Sequence, residues 1–282
     1  ARALFEGDES EQAARLAMTL AGDPLAVSAP RLQVEALLLA SRASRSASDL
    51  GLAVERGERA LSLTGLVDDA DLEAEARVVL LGALMEADQV ERAEEVAEGL
   101  QRRLRRIGSP QVTGLAHWTL GNMAWLSGAA EEGARHHAEA ARLLNPHVDL
   151  RNWGRFRKAA AVVRLQNGVV DDVLELLHQA GDALRIVGNP SDLTELRLAE
   201  ARYWLLSGET RTARSLVEYS LDDTTLAEAP HSRAEAEQLL GEIEVAEGHQ
   251  RAAGQAFLRA ALLFEQAGAY KRSVQMWRRH AG

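Results

Sequence analysis

Apolar residues along this chain fall at helical spacing, in blocks separated by polar turns. Leu115, Trp118, Leu120, Trp125 and Leu126 make one block, and Ala134, Ala138, Ala141 and Leu144 make the next, with Gly128 between them. Both blocks follow helical rather than alternating spacing, so the stretch predicts two antiparallel helices around a turn at the glycine. No alternating, β-branched stretch flanked by hairpin signals occurs, and no sheet is expected.

The pattern recurs with a period of 40 residues. Gly128, Gly168, Gly208 and Gly248 occupy one phase, which Asp88, Ser48 and Asp8 continue backwards. A second phase holds Ala13, Ala53, Ala93, Gly133, Val173, Ala213 and Ala253, and a third Leu20, Ala60, Leu100, Ala140, Ala180, Ser220 and Ala260. Small side chains let two helices approach closely, and the next pair packs into the same groove. Pro30, Pro110, Pro190 and Pro230 share a phase expected at the first helical turn; Gly108, Gly188 and Gly268 share one expected to be left-handed just past a helix end.

These phases predict one all-α domain over residues 1–282, a right-handed superhelical solenoid of antiparallel helix pairs. Its units are 1–28 (partial), 29–68, 69–108, 109–148, 149–188, 189–228 and 229–268, and 269–282 is a terminal helix. Ala1 to Glu6 supply only the tail of a first helix before a turn at Gly7 and Asp8, from which an upstream part is expected to be absent. Ala269 to His280, with Trp277 on its apolar face, is expected to cover the last pair.

Composition narrows the function. With 46% hydrophobic and 26% charged residues the chain is globular rather than disordered. A net charge of −10 gives no overall attraction to phosphates or anionic lipid. The absence of cysteine removes disulfides, thiolate metal sites and a cysteine nucleophile, and fits a cytoplasmic location. The longest apolar run, Val78 to Met85, is far short of the roughly 18 residues a membrane span needs. No secretory signal is visible.

Catalytic and cofactor motifs are missing. Neither a G-x-x-x-x-G-K-[ST] nor a G-x-G-x-x-G string occurs, and there is no G-x-S-x-G elbow. The histidines at 117, 136, 137, 147, 178, 231, 249 and 280 never take the i, i+4 spacing that places two imidazoles on one face; all are expected to be exposed or capping groups, with His136 and His137 pointing apart. Glu94, Glu95 and Glu98 read as a helix surface, and the run Arg102, Arg103, Arg105 and Arg106 as cations at the negative end of a helix dipole. No enzymatic activity, metal or cofactor is expected.

In stacked pairs the first helix of each unit lines the inner, ligand-binding side. There Trp118, Asn122 and Trp125 lie at i, i+4 and i+7, Arg151, Arg155 and Lys158 share the same spacing, and Gln166 and Arg202 fall at inner positions by register. An amide offers a donor and an acceptor to a peptide backbone, and guanidinium groups match a carboxylate. These residues form the candidate groove for an extended peptide or an acidic small molecule, whereas Trp204 is expected to pack between helices.

Leu240, Gly241, Gly248, Ala253, Phe257 and Ala260, and likewise Leu120, Gly121, Gly128, Gly133 and Ala140, make the chain resemble a tetratricopeptide repeat with an extended period. The strings LRRIGSPQVTGLAHWTLGNMAWLSG, LRNWGRFRKAAAVV, LRIVGNPSDLTELRLAEARYWLLSGE and LLFEQAGAYKRSVQMWRRHAG look like the repeat region of actinobacterial Xre-type helix-turn-helix regulators, similar to peptide-sensing quorum regulators. The resemblance implies a small N-terminal DNA-binding domain outside this chain, and repeats that bind a signal and mediate homodimer contacts. It likens Asn122 to asparagines that hold a peptide backbone, although the equivalent places here are Gly82, Val162, Arg202 and Glu242.

The expected function is thus a sensor and dimerisation region of a transcription regulator that takes a peptide, small molecule or partner protein and responds by a change of curvature. The alternatives are a passive interaction scaffold and the repeat arm of an ATP-dependent LuxR-type regulator.

Overall fold

The computed structural model describes every residue except Asp8, Thr224, Thr225, Ala227, Glu228 and Gly282, so the Asp8 position of the repeat lattice lies outside the described residues. Prolines start many of the helices. Pro30, Pro110, Pro190 and Pro230 each occupy the first turn of a helix, where a missing N–H costs nothing. Those helices, α4 (Pro30–Ser46), α8 (Pro110–Leu126), α12 (Pro190–Leu206) and α14 (Pro230–Ala246), alternate with α6 (Ala70–Glu86) and α10 (Leu150–Gln166) at the predicted period. Each is 17 residues long. Where proline is absent, the Asp69 and Asp149 carboxylates cap α6 and α10 by accepting from the Leu72 and Asn152 N–H groups.

Each first helix is followed by a second: α5 (Leu50–Thr64), α7 (Val90–Gln101), α9 (Ala130–Leu143), α11 (Val173–Val187), α13 (Thr210–Asp222) and α15 (Gln250–Gln266). Short α1 (Arg2–Glu6), α2 (Ser10–Ala21) and α3 (Pro24–Val27) precede this series, and α16 (Tyr270–Ala281) ends it. Among the described residues there is no strand.

The turn between the helices of a pair explains the first glycine phase. Gly128, Gly168, Gly208 and Gly248 have φ of +84°, +72°, +85° and +83°, and Ser48 and Asp88 take the same left-handed conformation at φ 61° and 57°. The second phase divides. Gly268 is left-handed at φ +81°, but Gly188 is extended at φ −72°, and Gly108 is not among the left-handed glycines. Gly108 instead donates its N–H to the Asp71 carboxylate at 2.7 Å. In the 149–188 unit a left-handed Asp172, φ 58°, delays α11 to Val173.

Close approach of the paired helices explains the small residues. A Cβ on Gly133 would lie 2.4 Å from Trp125 Cδ1, and one on Gly241 would lie 2.5 Å from Phe257 Cε1. Ala13, Ala53, Ala93 and Ala213 are fully buried at equivalent places.

The pairs group into two compact stacks, Ala1–Asn145 and Pro146–Gly282. In the N-terminal stack a cluster around Val34, Leu37, Leu72 and Val79 ties α4, α5 and α6 together. In the C-terminal stack Leu198, Val217, Leu239 and Ile243 do the same for α12, α13 and α14. Trp204 packs against this second cluster, as expected. At the end of the chain Ser273 and Met276 are the buried side of α16, whereas Trp277 is 40% exposed. Trp277 therefore does not seal the last pair, because its place on the helix turns it outward.

Candidate functional site

The first helices of each stack lie side by side, and the 40-residue register identifies the column of side chains that each gives to the shared face. In α10 that column is Arg151, Arg155, Lys158, Val162 and Leu165; in α12 Glu195, Leu198 and Arg202 follow; in α14 Glu235, Gln238, Glu242 and Val245. In the N-terminal stack the columns are Arg31, Glu35, Leu38, Arg42 and Arg45 in α4, Asp71, Glu75, Val78, Gly82 and Met85 in α6, and Gln111, Leu115, Trp118, Asn122 and Trp125 in α8, with Arg31 Nη1 holding the Asp69 carboxylate at 2.6 Å. The α8 column carries no charge.

In the C-terminal stack the cations predicted to meet a ligand meet acids of the next first helix. Arg155 grips Asp192 with two hydrogen bonds, Nε to Oδ1 at 2.6 Å and Nη2 to Oδ2 at 3.0 Å. Lys158 Nζ donates to Glu195, and Arg202 Nη1 to Glu242 Oε2 at 3.0 Å. Beyond them Arg272 reaches Glu235 at 2.8 Å and Arg279 reaches Glu242 at 2.9 Å. Most partners are 37 residues apart, one period less one helical turn, which is the reach of a long side chain to the neighbouring helix.

Burial is substantial in this ladder. Asp192 is 3% and Lys158 7% exposed. Burial alone would push the Asp192 carboxyl up, but Lys158, Arg155 and the capping contact with Asn189 outweigh it and hold the group below the usual range. Glu242 is likewise lowered, with burial opposed by Arg202, Gln238 and Arg279.

Of the remaining sequence candidates, Arg151 donates from Nε to the Val187 carbonyl at 2.8 Å and closes the end of α11. Gln166 is exposed at the last residue of α10. Trp125, 6% exposed, lies against Gly133 inside the α8–α9 pair, so the i, i+4, i+7 set divides between groove and interior. Trp118 is half-buried beside it on α8. Asn122 accepts a hydrogen bond at Oδ1 from His137 Nε2, 3.0 Å away.

The face of α4, α6 and α8 differs. Arg42 Nη2 stands 3.6 Å from Glu75 Oε2, and Arg45 Nε stands 3.6 Å from Glu86 Oε1, both beyond hydrogen-bonding distance. The Arg45 guanidinium lies over Gly82, where a Cβ would come 2.3 Å from Nη1. Val78, Met85, Leu115 and Trp118 are half-buried on the same columns, and the Gln111 amide nitrogen has no hydrogen-bond partner among the described residues. Guanidinium groups, amides and apolar side chains thus stand together, with their polar capacity only partly used.

His147, His178, His249 and His280 are exposed as expected, but His136 and His137 are not. His136 and His137 are 9% and 3% exposed, and His136 Nδ1 meets His117 Nδ1 at 2.8 Å. Adjacent residues on α9 cannot both face outward where the pair interface is this wide.

No protein-family profile and no curated protein sequence matches the chain. Its fold, however, has a solved counterpart. The crystal structure of a Rap protein complexed with competence and sporulation factor aligns with a TM-score of 0.55 at 13% identity, over 89% of this chain and 63% of that one. This chain is therefore a tetratricopeptide-like helical repeat that spans less than two thirds of the Rap chain. Two further structures align more loosely. BtubC of P. vanneervenii gives 0.44 at 12% identity, covering 84% of this chain and 89% of its own. A signal transduction ATPase with numerous domains and a tetratricopeptide repeat sensor, from Pyrococcus horikoshii, gives 0.49 at 13% identity, covering 96% and 47%.

Three groups of residues were not found by reasoning from sequence. The acids that close the C-terminal ladder had a signal, the spacing of 37 between opposite charges. Arg42 and Arg45 had the repeat register. The His117–His136 contact had none, since the two residues belong to different helices.

Among the described residues one set of three potential metal ligands occurs, Glu244, Glu247 and His249 at the α14–α15 turn. Arg214 holds both carboxylates, at 2.9 Å and 2.6 Å, so the cluster already has its cation.

Proposed function

We propose that this chain is the sensor and dimerisation region of a bacterial transcription regulator, and that it binds an extended peptide signal on the face formed by α4, α6 and α8. The observation that carries the reading is the uncharged α8 column, Gln111, Leu115, Trp118 and Asn122, beside the loosely held Arg42 and Arg45. Amide side chains suit a peptide backbone, Trp118, Val78 and Met85 suit apolar side chains, and the two arginines suit a carboxylate. The C-terminal face is a weaker candidate, because a ligand there has to break the bidentate Arg155–Asp192 pair and the Lys158–Glu195 and Arg202–Glu242 pairs before it can use the same cations.

The fold supports the reading, since a Rap protein with which it aligns was crystallised in complex with competence and sporulation factor. Two copies each carrying a DNA-binding domain outside this chain would respond through a ligand-dependent change in the stack. A ligand shifts such an equilibrium only by its differential affinity for the two shapes.

Screening the chain against a library of free-carboxylate peptides of about eight residues tests this. Captured sequences are expected to lose at least tenfold in affinity with either Trp118→Ala or Arg45→Ala, while Arg202→Ala leaves them unchanged. Peptides indifferent to both substitutions, or none captured at micromolar concentration, would contradict the proposal.

A further inference from the structure

One register position of the first helices, repeated every 40 residues, carries in several pairs a residue that reaches the second helix. In four of the pairs this residue has a permanent charge: Arg77, Arg157, Arg197 and Glu237. Arg77 holds Glu73 at 3.0 Å and lies across Gly99, Arg197 stands 4.4 Å over the Tyr219 ring, and Glu237 pairs with Arg259 at 2.8 Å. In the α8–α9 pair the position is His117, which meets a second imidazole, His136. Where other pairs place an arginine or a glutamate, this pair sets two imidazoles, whose ordinary pKa is about 6.5, against each other.

The geometry restricts how many protons the two rings can take. A contact between Nδ1 atoms at 2.8 Å needs one ring to donate and the other to accept, so only one of the two atoms carries hydrogen. Neutral rings of opposite tautomer satisfy this, and so does one imidazolium with one imidazole. Two imidazolium rings would set two N–H groups and two positive charges against each other inside the pair, with centroids 5.0 Å apart. We propose that the His117–His136 contact is a proton-operated latch on the α8–α9 pair, closed while the rings hold at most one ionising proton and opened by the second.

The charges around the latch are on α9. Glu132 stands 3.9 Å from His136 Nε2, Glu139 acts on His117, and Arg135 and Arg142 oppose these acids. Among the described residues no charge of α6 or α7 bears on either ring. Burial is the largest influence on both and lowers both, and His117 lowers His136 further. These influences favour the neutral rings. Trp118 is next to His117 in α8, and His137, next to His136, donates to Asn122. Opening the latch thus disturbs the residues that border the proposed peptide face. The latch itself does not depend on what that face binds, so an empty face and a failed latch are separate results.

Both rings are depressed relative to the unfolded chain, so the unfolded state binds more protons and stability falls as pH drops below about 6.5. Each ring contributes up to about a tenfold loss in the folded-to-unfolded ratio per pH unit in that range. Urea titrations of the wild-type chain, His117→Gln, His136→Gln and the double variant at pH 7.5 and 5.5 measure it. The wild type is expected to lose stability over this interval, and the double variant to lose at least tenfold less. Imidazole NMR of the unsubstituted chain gives the second reading, which stands even where a variant fails to fold. Its first and second protons on this pair are expected at least one pH unit apart, with α8 and α9 amide shifts moving in the second step. Two rings that titrate together at their ordinary value, or an unchanged pH slope in the double variant, would overturn the latch.

Discussion

The two stacks build their first-helix faces from the same backbone period but with opposite chemistry. In α10, α12, α14 and α16 long cations and acids alternate from helix to helix, so that each charge finds its partner within the face, as Arg155 finds Asp192. In α4, α6 and α8 Arg31 still holds Asp69 at 2.6 Å where the helices begin, but further along Arg42 and Arg45 stand 3.6 Å from their acids, and α8 contributes amides and apolar groups. A repeat therefore supplies a scaffold, and the side chains at a few register positions decide whether a face is closed on itself or free to take something else. Counting cations on a helix face, without asking where the acids of the next helix fall, selects the closed face.

The strongest way to break the comparison is to remove one member of the closed ladder. Asp192→Ala strips Arg155 of its bidentate partner and the α12 capping box of its second member, and is expected to cost about 2–4 kcal/mol. Arg45→Ala, at a half-exposed pair in the open face, is expected to cost no more than about 0.5 kcal/mol. Urea midpoints for both variants measure the gap; equal losses would remove the distinction between the faces.

A smaller effect tests the packing common to both stacks. Gly133→Ala forces a methyl group against Trp125 and is expected to destabilise by about 1–3 kcal/mol, visible as a lower thermal midpoint. Gly128→Ala changes no contact within 4 Å but demands a left-handed backbone at φ +84°, which is expected to cost about 1 kcal/mol.

Acid separates the stacks by the order in which they weaken. His117 and His136 are lowered, so their contribution is present above the ordinary imidazole value and declines as pH falls below it. Asp192 and Glu242 are lowered carboxylates, so theirs is present above the ordinary carboxylate value of about 4 and is lost only below it. Glu200, raised by burial, acts in the opposite sense and relieves the C-terminal stack as pH falls. Amide NMR between pH 7.5 and 3.5 is expected to show α8 and α9 loosening first. Loosening of α10 and α12 ahead of them would contradict this order.

Much of the fold was legible because backbone requirements recur. A proline or an aspartate cap at the first turn, a residue able to go left-handed between paired helices and a small side chain at each close crossing follow local physics, and Pro190, Gly208 and Ala213 mark one unit without reference to the rest. The same logic misjudged Gly188, whose chain leaves α11 in extended conformation straight into the Asn189 cap.

The candidate site was less legible. Trp118, Asn122 and Trp125 share a helical face in projection, yet Gly133 leaves a hollow into which Trp125 turns. Whether Arg155 or Lys158 is available depends on Asp192 and Glu195, on another helix. Helical periodicity assigns a face, and only the neighbouring helix decides what remains open on it.

The claim that the open face receives the ligand is tested most directly by photocrosslinking. Benzoylphenylalanine placed at Val78 in α6, or at the half-buried Val162 of α10, reports which face a captured peptide touches. Crosslinks from position 78 and none from 162 are the predicted result. Crosslinks from 162 alone would place the peptide on the ion-paired ladder and contradict the account.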